Sequence, residues 1–207
     1  MAGLITDYLS YGSGAPSGAP DVVTGEYALY QDTATGDLYV WNLDTTAWDA
    51  VGGGGGGGTG DYILIRDEKS QGTAGGTFTS GSWQTRVLNT EVSDAGGNAS
   101  LSSNQITLAA GTYRARILCP ARLCAEHQAR LYNTTDAAVV LLGTSQYAPS
   151  GVDGPNVYSE IIGRFTIGSG KALEVQHKCA TSRSSDGFGT GSNLATEIFT
   201  VVELIKE

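Results

Sequence analysis

The chain has 207 residues, 40% of them hydrophobic and 16% charged, which is enough for one domain and a small module. The formal net charge is −9 and there is no basic patch, which argues against nucleic-acid binding. The sequence contains no run of 18 apolar residues, so a transmembrane helix is not predicted. Thirty glycines, ten tyrosines and a single methionine favour strands and turns over helices.

The first segment, residues 1–20, is predicted to be an anchoring peptide followed by a linker. Leu4, Ile5, Tyr8 and Leu9 cluster in a stretch too short to build its own core. We therefore predict that they anchor the chain by docking on a partner; a frayed terminus is the alternative. The Gly/Ser/Ala/Pro run over 12–20 is low-complexity linker, in which the prolines favour extended backbone.

Residues 21–51 are predicted to form a small β module. Two short apolar runs, 27–30 and 38–41, flank turn-forming residues, which indicates a hairpin. Trp41, at the end of the second run, and Trp48 flank the turn-prone residues 42–44. Aromatic rings of this kind either stack on sugars or form the miniature core of a small sheet. Residues 1–60 carry seven acidic side chains and neither Lys nor Arg.

Residues 52–60 are predicted to be a flexible linker. Seven consecutive glycines, Gly52 to Gly58, have no side chains to bury and carry the largest backbone entropy in the unfolded chain. A tether of this kind has an r.m.s. span of about 16–20 Å, which suits an anchor joined to a presented head.

From residue 61 onward, short apolar runs alternate with turn residues. Nine runs are predicted as strands: 62–65, 82–88, 105–109, 113–118, 128–132, 138–142, 159–167, 172–179 and 196–205. Hairpin turns are predicted at 133–136 and, with the stronger turn chemistry, at 168–170. Strands without helices over residues 61–207 predict an all-β head domain, most simply a two-sheet jelly-roll sandwich.

The last predicted strand is apolar on both of its faces. Residues 172–179, in contrast, alternate apolar and polar side chains, as expected for a half-buried strand. A doubly apolar strand is covered by a second layer or by another subunit. Phe199, Val201 and Ile205 are therefore candidate residues of an interface between subunits.

The chemistry-bearing residues do not form a catalytic or metal-binding signature. The spacings Cys119-x4-Cys124-x2-His127 and His177-x-Cys179 lack the Cys-x2-Cys pattern of a zinc site, so we predict no metal and no cofactor. Three cysteines make no disulfide framework and, with the absence of a secretory signal, predict synthesis in a reducing cytosol. No Gly-x-Ser-x-Gly elbow is present, and Glu160 and Glu174 are interpreted as surface groups, so we predict no catalytic residues and no enzyme.

Two long polar loops are candidate recognition surfaces, since loops on a rigid sandwich commonly carry recognition. In the loop 146–156 the candidate receptor contacts are Tyr147 and Asp153. In the loop 181–193 they are Arg183, Asp186 and Phe188, which supply a cation, an anion and a ring. Ordinary solvated connections are the alternative.

Several segments resemble bacteriophage fibre and spike proteins. In the head these are Tyr62-Ile-Leu-Ile-Arg-Asp67, Leu108-Ala-Ala-Gly-Thr-Tyr113 and Glu197-Ile-Phe-Thr-Val-Val-Glu-Leu204. The segment Tyr30-Gln-Asp-Thr-Ala-Thr-Gly-Asp-Leu-Tyr-Val-Trp41 is similar to modules of phage fibres. Such heads look like the jelly rolls of tumour necrosis factor and the complement globular head, so the resemblance implies a homotrimer.

We therefore expect a structural protein of a bacteriophage virion, made in the host bacterial cytoplasm. It would be a short trimeric fibre or spike, attached by its N-terminus to capsid or tail proteins. Its jelly-roll head would adhere to a host cell-surface glycan or protein. The alternative is a carbohydrate-binding module that uses Trp41 and Trp48.

Overall fold

The computed structural model describes residues 9–20, 28–34, 37–42, 46–51, 60–151, 153–168 and 170–207. The chain forms two compact units, Met1–Gly58 and Thr59–Glu207. In the described ranges the regular structure is entirely β, with no helix that could cross a membrane. The prediction of an all-β protein is thus confirmed. The anchor candidates Leu4, Ile5 and Tyr8 lie outside the described residues.

The first unit contains a four-stranded sheet with the order β1-β2-β3-β4. Its strands are β1 (Leu9–Gly12), β2 (Leu29–Asp32), β3 (Leu38–Asn42) and β4 (Ala47–Ala50). Strand β1 is parallel to β2, and the other two pairings are antiparallel. This differs from the predicted boundary at residue 20, because the backbone of the anchor candidate Leu9 pairs with Leu29 inside this sheet.

Asp32 joins this sheet to the segment that follows β1. Its side chain is buried, and Oδ1 accepts hydrogen bonds from the backbone N–H groups of Gly14 and Ala34, at 2.9 and 2.8 Å. Charge-assisted bonds of this type hold a backbone segment firmly. Part of the predicted linker is therefore fixed to the sheet.

The second unit is a sandwich of two antiparallel sheets, whose strands are listed here in chain order. They are β5 (Asp61–Lys69), β6 (Gln84–Thr85), β7 (Thr90–Asp94), β8 (Ala99–Ser102), β9 (Gln105–Leu108), β10 (Gly111–Ala121), β11 (Ala125–Asn133), β12 (Ala138–Leu142), β13 (Gln146–Ala148), β14 (Val157–Ile167), β15 (Lys171–Cys179) and β16 (Glu197–Lys206). Sheet I has the order β14-β10-β16-β5-β7. Sheet II has the order β12-β11-β15-β9-β8, with β13 added to β11 and β6 added to β15. This arrangement is the predicted jelly-roll sandwich.

Alternating side chains of both sheets fill the space between them. In β15, for example, Leu173, Val175, His177 and Cys179 are buried, and the residues between them are at least partly exposed. The period of two places every second residue on the inner face of the sandwich. The same pattern in β10 and β11 completes a continuous apolar core, to which both sheets contribute.

The two predicted hairpins have different outcomes. Strands β11 and β12 pair with each other, which confirms the turn at 133–136. The hairpin predicted at 168–170 is wrong, because β14 pairs with β10 in sheet I, whereas β15 pairs with β11 and β9 in sheet II. Ile161 and Leu173 belong to the same buried core. The short connection therefore crosses from one sheet to the other instead of reversing within one.

Strand β16 lies between β10 and β5 in the middle of sheet I. The interface candidate Phe199 is only 3% exposed, and its ring packs closely against Gly189 of the same chain. Its prediction as an interface residue is therefore corrected, because the 181–193 loop already covers it. Val201 and Ile205 are half-buried and opposite Arg66 and Tyr62 on the neighbouring strand β5.

Candidate functional site

A groove of about 550 Å³ opens on sheet II where β11, β13 and β15 meet. We call it the sheet II groove. It is defined by Trp83, Glu126, Gln128, Gln146, Tyr147 and Lys178, with His127 and Cys179 also among its lining residues. Its volume falls within the range of about 300–1,000 Å³ that is common for small-ligand sites.

Strand register brings these side chains together from distant parts of the sequence. Gln128 is opposite Lys178 in the β11–β15 pair, and Glu126 is opposite Tyr147 in the β11–β13 pair. Residues opposite each other on antiparallel strands have neighbouring side chains on the same face. Glu126, Gln128 and Lys178 alternate with buried residues, so they belong to the outer face of sheet II.

Trp83 is held at the groove by a stacked arginine. The guanidinium carbon of Arg130 lies 4.1 Å from the centroid of the Trp83 ring and 4.3 Å from that of Tyr132. Arg130 also donates from Nε and Nη2 to Oε1 of Gln176, at 2.9 and 2.7 Å. These contacts fix the indole of Trp83, because the guanidinium that stacks on it is itself held by two hydrogen bonds to Gln176.

The hydrogen bonds continue from Gln176 to the carboxylate of Glu174. Gln176, Gln105 and Thr85 all donate to Glu174, at 2.8, 2.9 and 2.7 Å. Burial raises the pKa of Glu174 and these hydrogen bonds lower it, with a net decrease. Glu174 is therefore an anionic structural partner of the face that carries the groove.

Two buried histidines lie beneath the groove. Nδ1 of His127 and Nε2 of His177 are 3.0 Å apart. Burial, with a smaller effect from Arg86, lowers the pKa of His127 to about 4, and burial lowers that of His177 well below its ordinary value. Both rings are therefore neutral near pH 7. In the described part of the chain, Nε2 of His127 and Nδ1 of His177 have no hydrogen-bond partner.

The receptor candidate Phe188 lies in the interior, in contrast to its prediction. It is 8% exposed and stacks on Phe78, with 4.4 Å between the ring centroids. The guanidinium carbon of Arg86 lies 4.1 Å from the Phe188 ring centroid. This corrects the prediction, because the ring of the loop is used to pack the loop onto the sandwich and is not presented to a receptor.

The charged receptor candidates bind to other parts of the same head. Asp186 accepts two hydrogen bonds from Arg183, at 2.6 and 3.2 Å, and a further one from Arg122. The hydrogen bond from Arg183 is the largest of the effects that lower the pKa of Asp186. Asp153 is almost fully exposed and lies 3.5 Å from Arg122. Arg122 thus links the two candidate loops.

Of the receptor candidates, Tyr147 is the one that lines the sheet II groove. Its side chain is 56% exposed. Trp83, Glu126, Gln128 and Lys178 were missed by sequence reasoning, which looked to the loops. The alternating exposure of β11 and β15 was the available signal, but it does not indicate which strands are neighbours.

The three cysteines are free and buried. Burial raises the pKa of Cys119 and Cys124 to about 12 and that of Cys179 to about 11, so these thiols are poor nucleophiles near pH 7. Among the residues that the structure describes, no three metal-ligating side chains are grouped to hold an ion. Glu160 and Glu174 belong to different sheets, Glu160 to sheet I and Glu174 to sheet II.

The two tryptophans of the first unit pack against each other. Trp41 and Trp48 are cross-strand neighbours with ring centroids 5.5 Å apart and planes at 72°. Nε1 of Trp48 donates to the carbonyl of Gly18 at 2.9 Å, and Tyr30 lies 6.0 Å away. This edge-to-face arrangement is typical of a small aromatic core. It differs from the flat, side-by-side surface on which successive sugars would stack.

No family model matches the sequence, and neither does any curated protein. Among solved structures, the chain is similar to murine APRIL at pH 5.0, with 10% identity, coverage of 72% of this chain and 99% of the other, and a TM-score of 0.48. It is also similar to the globular domain of zebrafish complement 1qA protein, with 14% identity, coverage of 70% and 94%, and a TM-score of 0.41. These similarities concern the fold and not a ligand or a partner.

Proposed function

We propose that the chain is a structural protein of a bacteriophage virion, a short fibre or spike whose jelly-roll head binds the host cell surface. The sheet II groove carries this proposal. It combines aromatic, amide and charged side chains on a rigid sheet, which is the composition of a recognition site. The resemblance of the head and of the first unit to phage fibres supplies the biological setting.

We propose recognition rather than catalysis for the groove. Glu126 is its one carboxylate among the described lining residues, whereas glycoside hydrolysis generally uses a pair. The thiol of Cys179 has a raised pKa, and the imidazole of His127 lies beneath the surface. The side chains that remain at the surface are suited to binding.

The outer face of sheet I supports self-association of the head, with a trimer as the proposed state. Large apolar side chains are exposed there on several strands. Ile162 is 64% exposed on β14, and Tyr62, Tyr158 and Ile198 are also exposed. They lie among charged side chains, since Ile162 is opposite Arg116, which pairs with Glu160, and such a mixed surface is common at interfaces between proteins. Three heads in one assembly would raise avidity for a surface with repeated ligands.

The first unit is the proposed attachment module for capsid or tail proteins. It is a compact unit of its own, Met1–Gly58, whose last seven residues in the sequence are glycines. The alternative function is sugar binding by Trp41 and Trp48, which are half-buried and line a cavity of about 510 Å³ in this unit. Their edge-to-face packing offers no flat surface for stacking, so the sheet II groove is the preferred site.

Light scattering of the full chain and of residues 61–207 tests the assembly. A mass of three chains in both samples supports a trimer formed by the head, and a monomeric head contradicts it. Binding of the labelled full chain to a panel of bacterial cells tests the adhesive function. Failure to bind any cell of the panel contradicts that part of the proposal.

A further inference from the structure

We infer that the sheet II groove binds a short saccharide, with Trp83 and Tyr147 as apolar walls and Glu126, Gln128 and Lys178 as hydrogen-bonding groups. This inference rests on the proposed function, because it names the chemical class of the ligand that the head recognises. It also assigns recognition mainly to the outer face of sheet II, and not to the 181–193 loop.

The two aromatic residues match the amphipathic character of a sugar. A pyranose ring has apolar C–H faces and a rim of hydroxyl groups, so it binds best between aromatic surface and polar side chains. Trp83 and Tyr147 both line the groove, and Tyr147 is 56% exposed. Aromatic rings provide large contact area at little cost in conformational entropy, since they have few rotatable bonds.

The polar residues offer both donors and acceptors, as a set of hydroxyl groups requires. The Glu126 carboxylate accepts hydrogen bonds, the Lys178 ammonium donates them, and the Gln128 amide does both. In the described part of the chain, neither Glu126 nor Lys178 forms an ion pair within 4.0 Å. Both charged groups therefore remain available to a ligand.

Two side chains of the groove are held in place before a ligand enters. Gln128 donates from Nε2 to the carbonyl of Gly143 at 2.8 Å, which fixes its amide. Trp83 is stacked on Arg130, which is bonded in turn to Gln176. Side chains held in this way lose little entropy on binding, so a small contact area yields useful affinity.

The size of the groove favours a saccharide over a folded protein as the ligand. A stable protein–protein contact buries about 800 Å² on each partner, over a surface of some 20–30 residues. The groove is a local concavity of about 550 Å³ formed by few side chains. A short branch of a cell-surface glycan fits this volume, and repetition on the cell would compensate for weak single contacts.

The test measures binding of the labelled full chain to bacterial cells before and after periodate, which cleaves vicinal diols of sugars. A second portion of the cells is treated with protease. We expect periodate to abolish binding and protease to leave it unchanged. Binding that survives periodate but is lost after protease overturns the saccharide and leaves the adhesive function intact. A wild-type chain that binds no cells contradicts both.

The position of the site is tested with Tyr147→Ala and Lys178→Gln, again in the full chain. Each should reduce binding to untreated cells at least tenfold with an unchanged unfolding midpoint. Tyr11→Ala is the matched control, because this tyrosine is equally exposed but belongs to the first unit. Equal binding by Tyr147→Ala, Lys178→Gln and Tyr11→Ala would overturn the assignment of the groove.

Discussion

Arg86 and Phe188 stack on each other inside the head, with the guanidinium carbon 4.1 Å from the ring centroid. Arg86 also donates to the hydroxyl of Thr200 at 2.8 Å and to the carbonyls of Pro120 and Phe188 at 3.0 and 3.3 Å. A fully buried cation thus joins β10, β16 and the 181–193 loop. The loop is held in place by its only ring, which lies beneath the groove-bearing sheet.

We predict that Arg86→Met lowers the free energy of unfolding of the full chain by about 3 kcal/mol or more. The methionine fills much of the volume, but it leaves the carbonyls of Pro120 and Phe188 without this donor, and each such loss costs about 1–3 kcal/mol. Urea denaturation measures the change. Arg116→Met is the control, since Arg116 is exposed and pairs with Glu160 at the surface, so its effect should be much smaller.

The free energy of unfolding should fall as the pH decreases from about 6.5 toward 4. His127 has a pKa of about 4 in the folded protein and about 6.5 in the unfolded chain, so in this window the unfolded state binds more protons. His177 acts in the same direction. Full protonation of His127 corresponds to a loss on the order of 3 kcal/mol.

Urea denaturation at a series of pH values between 6.5 and 5 measures this effect. These pH values lie above the range in which most carboxylates titrate. The double variant His127→Gln/His177→Gln removes the only two histidines of the chain. It should show a nearly flat profile over the same window. A variant that retains the slope would contradict the assignment of acid sensitivity to this pair.

Gly187→Ala should destabilise the head by about 1–3 kcal/mol, the usual range for an overpacked site. A Cβ atom at Gly187 would lie 2.6 Å from the carbonyl oxygen of Arg183 and 2.9 Å from the backbone nitrogen of Phe78. The backbone would have to shift to accommodate it. Gly151→Ala is the matched control, because a Cβ there meets no atom within 4 Å. Thermal unfolding of both variants should separate them clearly.

Ile162→Glu should convert the proposed trimer to monomers, because it replaces an exposed apolar side chain on the outer face of sheet I with a charge. Light scattering reads out the mass directly. Leu142→Glu is the control: Leu142 is similarly exposed but lies on β12 in sheet II. If Ile162→Glu retains the mass of the wild type, the interface is not on this face.

The sequence predicted the long strands well, because their alternation is a local property. Residues 172–179 show the period of two directly, and β15 covers nearly the same range. Strands such as β7 (Thr90–Asp94) and β13 were missed because they are short and largely polar. Each is defined by its pairing with a longer strand, β7 with β5 and β13 with β11. The connection at 168–170 was predicted as a hairpin turn because it contains two glycines. Glycines are equally suited to a connection that crosses between sheets, so the local sequence does not separate the two cases.

The groove could not be predicted from the sequence for a related reason. Trp83, Tyr147 and Lys178 are far apart in the chain, and their proximity depends on which strands pair and in which register. The buried position of Phe188 was equally hidden. An aromatic residue in a polar, glycine-rich loop has the same local sequence whether it meets a ligand or packs onto the core beside Arg86.

The alternation along β11 and β15 also has an evolutionary consequence. Glu126 and Gln128 flank His127, and Lys178 lies between His177 and Cys179; these three intervening residues belong to the interior. Substitutions at every second position can therefore change the outer face of sheet II while the folding core is preserved. For the proposed adhesive head, this means that recognition can change through few mutations, each of them tolerated by the rest of the domain.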